Sequence, residues 1–346
     1  MEYNININGK SVRYNFSAEG FLPNQIALPA NTIVICDECL PPLYPDFFKA
    51  FKTIPLKARE ADKTLDSLQQ LVQQLIHAEA HKSTFILVVG GGIITDMGGF
   101  AASVYMRGLD FAFMPTTLLA MVDAAIGGKN GVNVGLHKNM LGTINQPTAL
   151  FYSLPFLNTL ALDEWSNGFA EIIKYACMFS RKEFDFLLQH DLAYYRNNPM
   201  ALQLLIIKCV DWKNAIVIKD EKEKGDRKLL NFGHTLGHAI EQLYPMPHGR
   251  AVAVGMAFAL FLSCRVLGTK EALMPLLQQA LVQYGLPTKQ KMDANEVLAL
   301  MNMDKKRKND AIEFILLKDF GEPVIMPLRL TEIAPALNQF IDASHS

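Results

Sequence analysis

Residues Leu65 to Gly92 read LDSLQQLVQQLIHAEAHKSTFILVVGGG, and the hydrophobic period changes partway along. Leu65, Leu68, Leu71, Val72, Leu75 and Ile76 recur at helical spacing. Phe85 to Val89 is then uninterrupted apolar chain that stops at Gly90-Gly91-Gly92. An amphipathic helix feeding a strand with no polar face means a sheet covered on both sides, the signature of parallel α/β architecture. Outward from this segment, Thr32 to Cys36 and Phe111 to Met114 are further short apolar strands. Tyr3, Ile5 and Ile7, then Asn8-Gly9, then Val12, Tyr14 and Phe16 predict a hairpin with a primed turn. Pro147 and Pro155 punctuate an aperiodic stretch, after which helical periods dominate: Ala170–Phe179, Phe184–Leu188, Leu202–Val217, Leu229–Leu243, Ala251–Val266 and Leu273–Tyr284. Glu313–Leu317 is a late strand. The expected organisation is a Rossmann-like α/β domain over residues 1–155 and a mostly α-helical domain over 156–346.

The 346 residues suit about two domains, each able to bury its own core. Thirty-three basic against 34 acidic side chains give a net charge of -1, so no overall field exists to hold nucleic acid or an anionic membrane. Five cysteines are an odd number at low density, which suits a reducing cytoplasm. Cys36 and Cys39 make a CxxC without a second pair, and Cys36 reads as a strand core residue. The N-terminus lacks a basic start and apolar run, so no signal peptide is expected. The apolar stretch Ala251 to Cys264, bounded by Arg250 and Arg265, is shorter than the ~20 residues of a membrane span, which predicts a buried helix. Met97, Met106, Met114 and Met121 read as core filler.

Four groups of residues carry chemistry. Gly90-Gly91-Gly92 stands at a strand-to-helix junction where bare backbone N–H groups suit a pyrophosphate, although Thr95 replaces the third glycine of the dinucleotide pattern. Pro115 to Asp123, running on to Gly127-Gly128-Lys129-Asn130-Gly131, joins with Arg107, Lys138 and Asn139 to concentrate phosphate-binding donors. A solvated glycine-rich loop is the plainer alternative there. His234 and His238 stand at i and i+4, one face of a helix, and His248 follows. Glu171 and Lys174 share a face of an earlier helix. Imidazoles with a carboxylate suit a catalytic Zn²⁺ that keeps a position open.

Taken in order, GGGIITDMGGF, YMRG, PTTLLAMVD, GGKNGVN, KNMLG, GFAEIIK, LNFGHTLGHAIE, HG and DKK resemble the 3-dehydroquinate synthase family, from about Asp37 to about Lys306. The resemblance implies an NAD-binding α/β domain, a helical metal domain with a cleft between the two, and a homodimer. It implies Zn²⁺ or Co²⁺ on Glu171, His234 and His248, where spacing alone would pair His234 with His238; the resemblance is followed. It implies NAD on Asp37, Glu60, Lys63, Gly90, Gly91, Gly92, Asp96, Thr116, Thr117, Asp123, Lys129, Lys138, Thr159 and Glu164. Arg107, Lys129, Asn139, His238 and one of Lys305 or Lys306 are similar to the family's phosphate shell, with His238 also handling a proton. Lys174, Lys213, Glu223, Arg227 and Asn231 match positions around substrate hydroxyls and carboxylate. The implied substrate is a small sugar-phosphate carboxylate, cyclised by transient oxidation, phosphate elimination, re-reduction and an aldol closure. The sequence departs from the family at Asp123-Ala124-Ala125, where Asp-Ser-Ser is usual, and at Cys39, Ala161, Asp163 and Arg250. The alternatives are another sugar-phosphate cyclase and a metal-dependent polyol dehydrogenase of the related fold.

Overall fold

The computed structural model describes residues 1–135, 137–303 and 311–342. It contains a seven-stranded sheet built from β1 (Glu2–Ile7), β2 (Lys10–Ser17), β3 (Thr32–Asp37), β4 (Lys52–Leu56), β5 (Phe85–Gly90), β6 (Phe111–Pro115) and β9 (Ala149–Ser153). The strand pair β7 (Lys129–Val134) and β8 (His137–Ile144) stands apart from it, as does the pair β10 (Ala311–Leu317) and β11 (Pro323–Arg329). The order in the large sheet is β1-β2-β9-β6-β5-β3-β4. All neighbours are parallel except the edge hairpin β1–β2. Asn8 and Gly9 both take positive φ, 48° and 90°, as the primed turn requires.

β3 pairs with β4 on one side and β5 on the other, so the chain leaves β3 in one direction and returns on the opposite side. This is the switch point at which ligands lie against the C-terminal ends of strands in doubly wound folds. Asp37 ends β3 and Gly90 ends β5 there. One face of the sheet buries Val34, Cys36, Leu87, Val89, Met114 and Phe151 with Phe47, Phe48 and Phe156. The helix Leu65–His77 buries Leu68, Leu71 and Leu75, and Thr64 starts it by accepting the Ser67 N–H.

The chain divides into two compact units, 1–161 with 199–222 and 162–198 with 223–346. The expected boundary near 155 gives way to an interleaved one: the helix Pro199–Lys219, expected in the second domain, lies with the first unit. Tyr3 donates to Asp211 and Tyr14 to Asn214, tying that helix to the edge hairpin, and Asn8 donates to Glu221 just beyond its end.

The second unit is built chiefly of helices, among them Leu162–Phe179, Arg181–Gln189, His234–Leu243, His248–Leu267 and Leu273–Gln283. The expected single helix Leu229–Leu243 is two elements, a 3₁₀ turn at Asp226–Asn231 and the helix from His234. Gly233 separates them with φ 79°, the left-handed conformation glycine adopts without strain. The buried apolar helix extends beyond its expected ends to 20 residues, long and apolar enough to cross a membrane, but 67% of that window is buried inside the protein. It is a core helix. Met97, Met114 and Met121 are in the core, whereas Met106 is 48% exposed at φ 48° and fills nothing.

Candidate metal centre and cofactor site

The second unit gathers its chemistry around one buried carboxylate. Glu171 and Lys174 sit one turn apart on the helix Leu162–Phe179, 0% and 1% exposed, and form an ion pair. Neither carboxylate oxygen of Glu171 receives a hydrogen bond of acceptable geometry. Burying a carboxylate in this way is costly unless another charge satisfies it. His234 Nε2 and His248 Nε2 each lie 3.6 Å from the same atom, Glu171 Oε1. Their other nitrogens are engaged elsewhere: His234 Nδ1 is 3.1 Å from the Phe232 carbonyl, and His248 Nδ1 is 3.3 Å from Glu241. Carbonyl and carboxylate accept, so both rings carry a proton on Nδ1 and turn Nε2 inward.

The electrostatics agree with a cation site. Burial holds His234 well below the usual histidine range, keeping it a neutral donor. Burial acts the same way on His248, but the carboxylates of Glu171 and Glu241 outweigh it and push the ring up to about 10. The surroundings of His248 therefore favour positive charge. Among the described residues, Glu171, His234 and His248 form a group whose ligand atoms all lie within 4.8 Å of one another. The partner that spacing gives His234, His238, is not in that group; His248 takes its place. One carboxylate and two imidazoles, with His248 giving up its Nε2 proton where a cation takes its place, match the donor set of a catalytic zinc site.

Elsewhere in this unit, Asn231 donates to Glu223 at 3.0 Å, Asn167 donates to Glu164 at 3.3 Å, and Arg227 is buried. Lys305 and Lys306 lie outside the described residues.

The first unit places its expected residues at the switch point and on the elements around it. Gly91 caps the helix Gly92–Val104 without any side-chain hydrogen bond, leaving the first N–H groups for an anion. A Cβ on Gly91 would come within 3.0 Å of the Thr117 methyl, and one on Gly92 within 3.1 Å of Ala124 Cβ, so backbone alone can line this turn. Thr116 N donates to the Gly90 carbonyl. Lys63 is buried, pairs with Asp96 and donates to Asn139 at 2.5 Å. Burial pushes the Asp96 carboxyl up and the Lys63 ammonium pulls it back. Lys213 donates to both the carbonyl and the carboxylate of Asp123 at 2.7 Å. Glu60 accepts from Asn133 at 2.8 Å, and Thr159 shares a 2.9 Å hydrogen bond with Tyr44. Arg107 and Asn139 both take positive φ, 66° and 53°.

The glycine-rich stretch read as a possible loop is the ribbon β7–β8, with Lys129, Lys138 and Asn139 on it. Asn133, at the end of the GGKNGVN block, accepts from the Asn139 N–H and donates to Glu60 through its amide. Glu241 escaped the sequence reading; its signal was a third acid-base group on the helix face of His234 and His238. Burial pushes Cys36 up to about 12 and Cys39 up to about 11, so this CxxC presents thiols rather than thiolates.

The fold is that of the sugar-phosphate cyclases. The structure of 2-deoxy-scyllo-inosose synthase complexed with carbaglucose-6-phosphate, NAD⁺ and Co²⁺ is 24% identical, with a TM-score of 0.86 over 98% of this chain and 100% of that one. A 2-epi-5-epi-valiolone synthase from Streptomyces hygroscopicus with NAD⁺ and Zn²⁺ bound is 26% identical, with a TM-score of 0.86 over 95% and 97%. Family models for the 3-dehydroquinate synthase N-terminal and C-terminal regions match residues 53–167 and 168–307. The 3-dehydroquinate synthase of Campylobacter hominis is 36% identical over 92% of this chain and 94% of its own. The chain belongs to the 3-dehydroquinate synthase family.

Proposed function

We propose that the protein converts 3-deoxy-D-arabino-heptulosonate 7-phosphate to 3-dehydroquinate and phosphate, using NAD and a Zn²⁺ or Co²⁺ ion. The observation that carries this reading is the convergence of His234 and His248 Nε2 on a fully buried Glu171, itself paired with Lys174, in a chain of this family. When bound, the metal supplies Lewis-acid polarisation of a secondary alcohol, and the nicotinamide a reversible store for one hydride, so no net oxidation results.

Glu171, His234 and His248 would hold the metal. Lys174, paired with Glu171, is assigned to the substrate hydroxyls. The uncapped turn Gly90-Gly91-Gly92, with Asp37, Glu60, Lys63, Asp96, Thr116, Thr117, Asp123, Lys129, Lys138 and Thr159, would hold NAD, and Glu164 is assigned to the cofactor as well. Arg107, Lys129 and Asn139 are assigned to the phosphate, whose charge grows as its bond to carbon breaks; fixed donors stabilise that charge without reorganising. His238 is assigned to the proton that accompanies elimination. Lys213, Glu223, Arg227 and Asn231 are assigned to substrate hydroxyls and carboxylate, where a guanidinium and an amide match the planar anion. Aldol closure of the released ring asks chiefly for one held conformer.

A homodimer in the cytoplasm is part of this proposal. Val134, Met140, Leu141 and Ile144 are exposed apolar residues of the ribbon β7–β8 that a second copy would cover. The deciding assay follows phosphate release from the heptulosonate phosphate with and without NAD⁺ and a chelator while monitoring reduced nicotinamide. Release that requires both NAD⁺ and metal, with no build-up of reduced cofactor, is expected. Steady reduction of NAD⁺ by a polyol would transfer the chain to the dehydrogenases, and no phosphate from folded, loaded protein would transfer it to another cyclase substrate.

A further inference from the structure

We infer that Glu241 is a positioning residue of the metal centre, holding the His248 ring by Nδ1 so that Nε2 stays turned toward Glu171. The inference rests on the metal reading of Glu171, His234 and His248. The two histidines reach that carboxylate by different means. His234 follows Gly233 directly, and its Nδ1 is fixed by the backbone carbonyl of Phe232, two residues back. His248 begins a different helix after the segment Tyr244-Pro245-Met246-Pro247, and its side chain is 30% exposed against 11% for His234. The contact that sets its ring is Glu241 Oε1, 3.3 Å from Nδ1, on a side chain only 6% exposed. Glu241 lies seven residues after His234, two turns along the same helix, so that helix carries one candidate ligand and the orienting group of another. A carboxylate is also a stronger acceptor than a carbonyl, so it makes the ring it holds the better donor to a metal. Glu241 thus does for His248 what the backbone does for His234, and adds charge.

The experiment titrates metal-free protein with Zn²⁺ against a chromophoric chelator and records the visible spectrum of the Co²⁺ form. Glu241→Ala is expected to weaken Zn²⁺ binding on the order of 10–100-fold and to shift the Co²⁺ bands. Glu241→Gln, which keeps an oxygen acceptor at the same reach, recovers most of that loss, while Glu241→Asp, whose carboxylate is drawn back, does not. Where Glu241→Ala fails to fold, the order parent, Gln, Asp decides the same question. A Glu241→Ala or Glu241→Asp protein that binds like the parent overturns the inference alone, provided His248→Ala has lost metal. A folded parent that takes up no metal overturns the metal reading and the inference together.

Discussion

In the proposed function His248 and His238 take two roles that their shared chemistry conceals. His248→Ala removes one of three donors, so metal content and turnover are expected to fall together, read by elemental analysis and phosphate release. His238→Ala is expected to retain metal and lose turnover; metal lost there instead would restore the i, i+4 pair as the site. At this scale the residue types were legible and their grouping only partly so. His234 and His238 share a helix face, which invites pairing them, but the third member of the observed group comes from another helix ten residues beyond His238. Periodicity reports which side of a helix a residue occupies, not which neighbouring helix meets it. The block order supplied what spacing could not.

Between helices, packing leaves no room at Gly249. A Cβ there would press into the backbone of Asn167 on the neighbouring helix, so Gly249→Ala is expected to cost about 1–3 kcal/mol, seen as a lower denaturation midpoint of the metal-free protein. An unchanged midpoint would mean the two helices are free to part. The helix Pro199–Lys219 is secured by polar contacts instead. Tyr14 donates to Asn214 at 2.9 Å, and the Asn214 amide nitrogen has no partner, so Tyr14→Phe strands a second buried atom at a cost of about 1–3 kcal/mol. Lys213, the preceding residue, holds Asp123, so the same variant tests whether that pair depends on the hairpin: weaker NAD binding is expected along with the lost stability, and stability loss alone would separate them. Strands such as β5 were legible because both faces are apolar. β7–β8 was not, because its glycines and exposed polar residues read as loop while its ladder is made by backbone atoms that any sequence supplies. The helix expected over Leu229–Leu243 hid its break for a related reason: Gly233 changes the backbone without interrupting the hydrophobic pattern.

Across the whole molecule, the tyrosines record how much of the fold is closed to water. Burial raises Tyr3, Tyr14, Tyr152 and Tyr284 above the usual tyrosine value near 10, with Asp211 adding to the effect at Tyr3. The folded state holds these protons more tightly than the unfolded chain does, so the stability they contribute is complete below about pH 10 and is lost as pH rises further. Alkaline titration should therefore show their phenolate absorbance appearing only with the loss of far-ultraviolet dichroism. Smooth ionisation of all ten tyrosines in a still-folded protein would contradict their burial. Two domains were legible from composition and period, but their interleaving was not, because the helix Pro199–Lys219 has the same helical period as its neighbours and nothing local says which core it joins. That interleaving has a consequence for how the chain is made. The first unit lacks its last helix until the ribosome has synthesised residues 162–198 of the second, so neither unit can finish before the other has begun. A nascent chain released near residue 161 would expose the face that helix covers, and a gene cut there would encode two fragments rather than two domains.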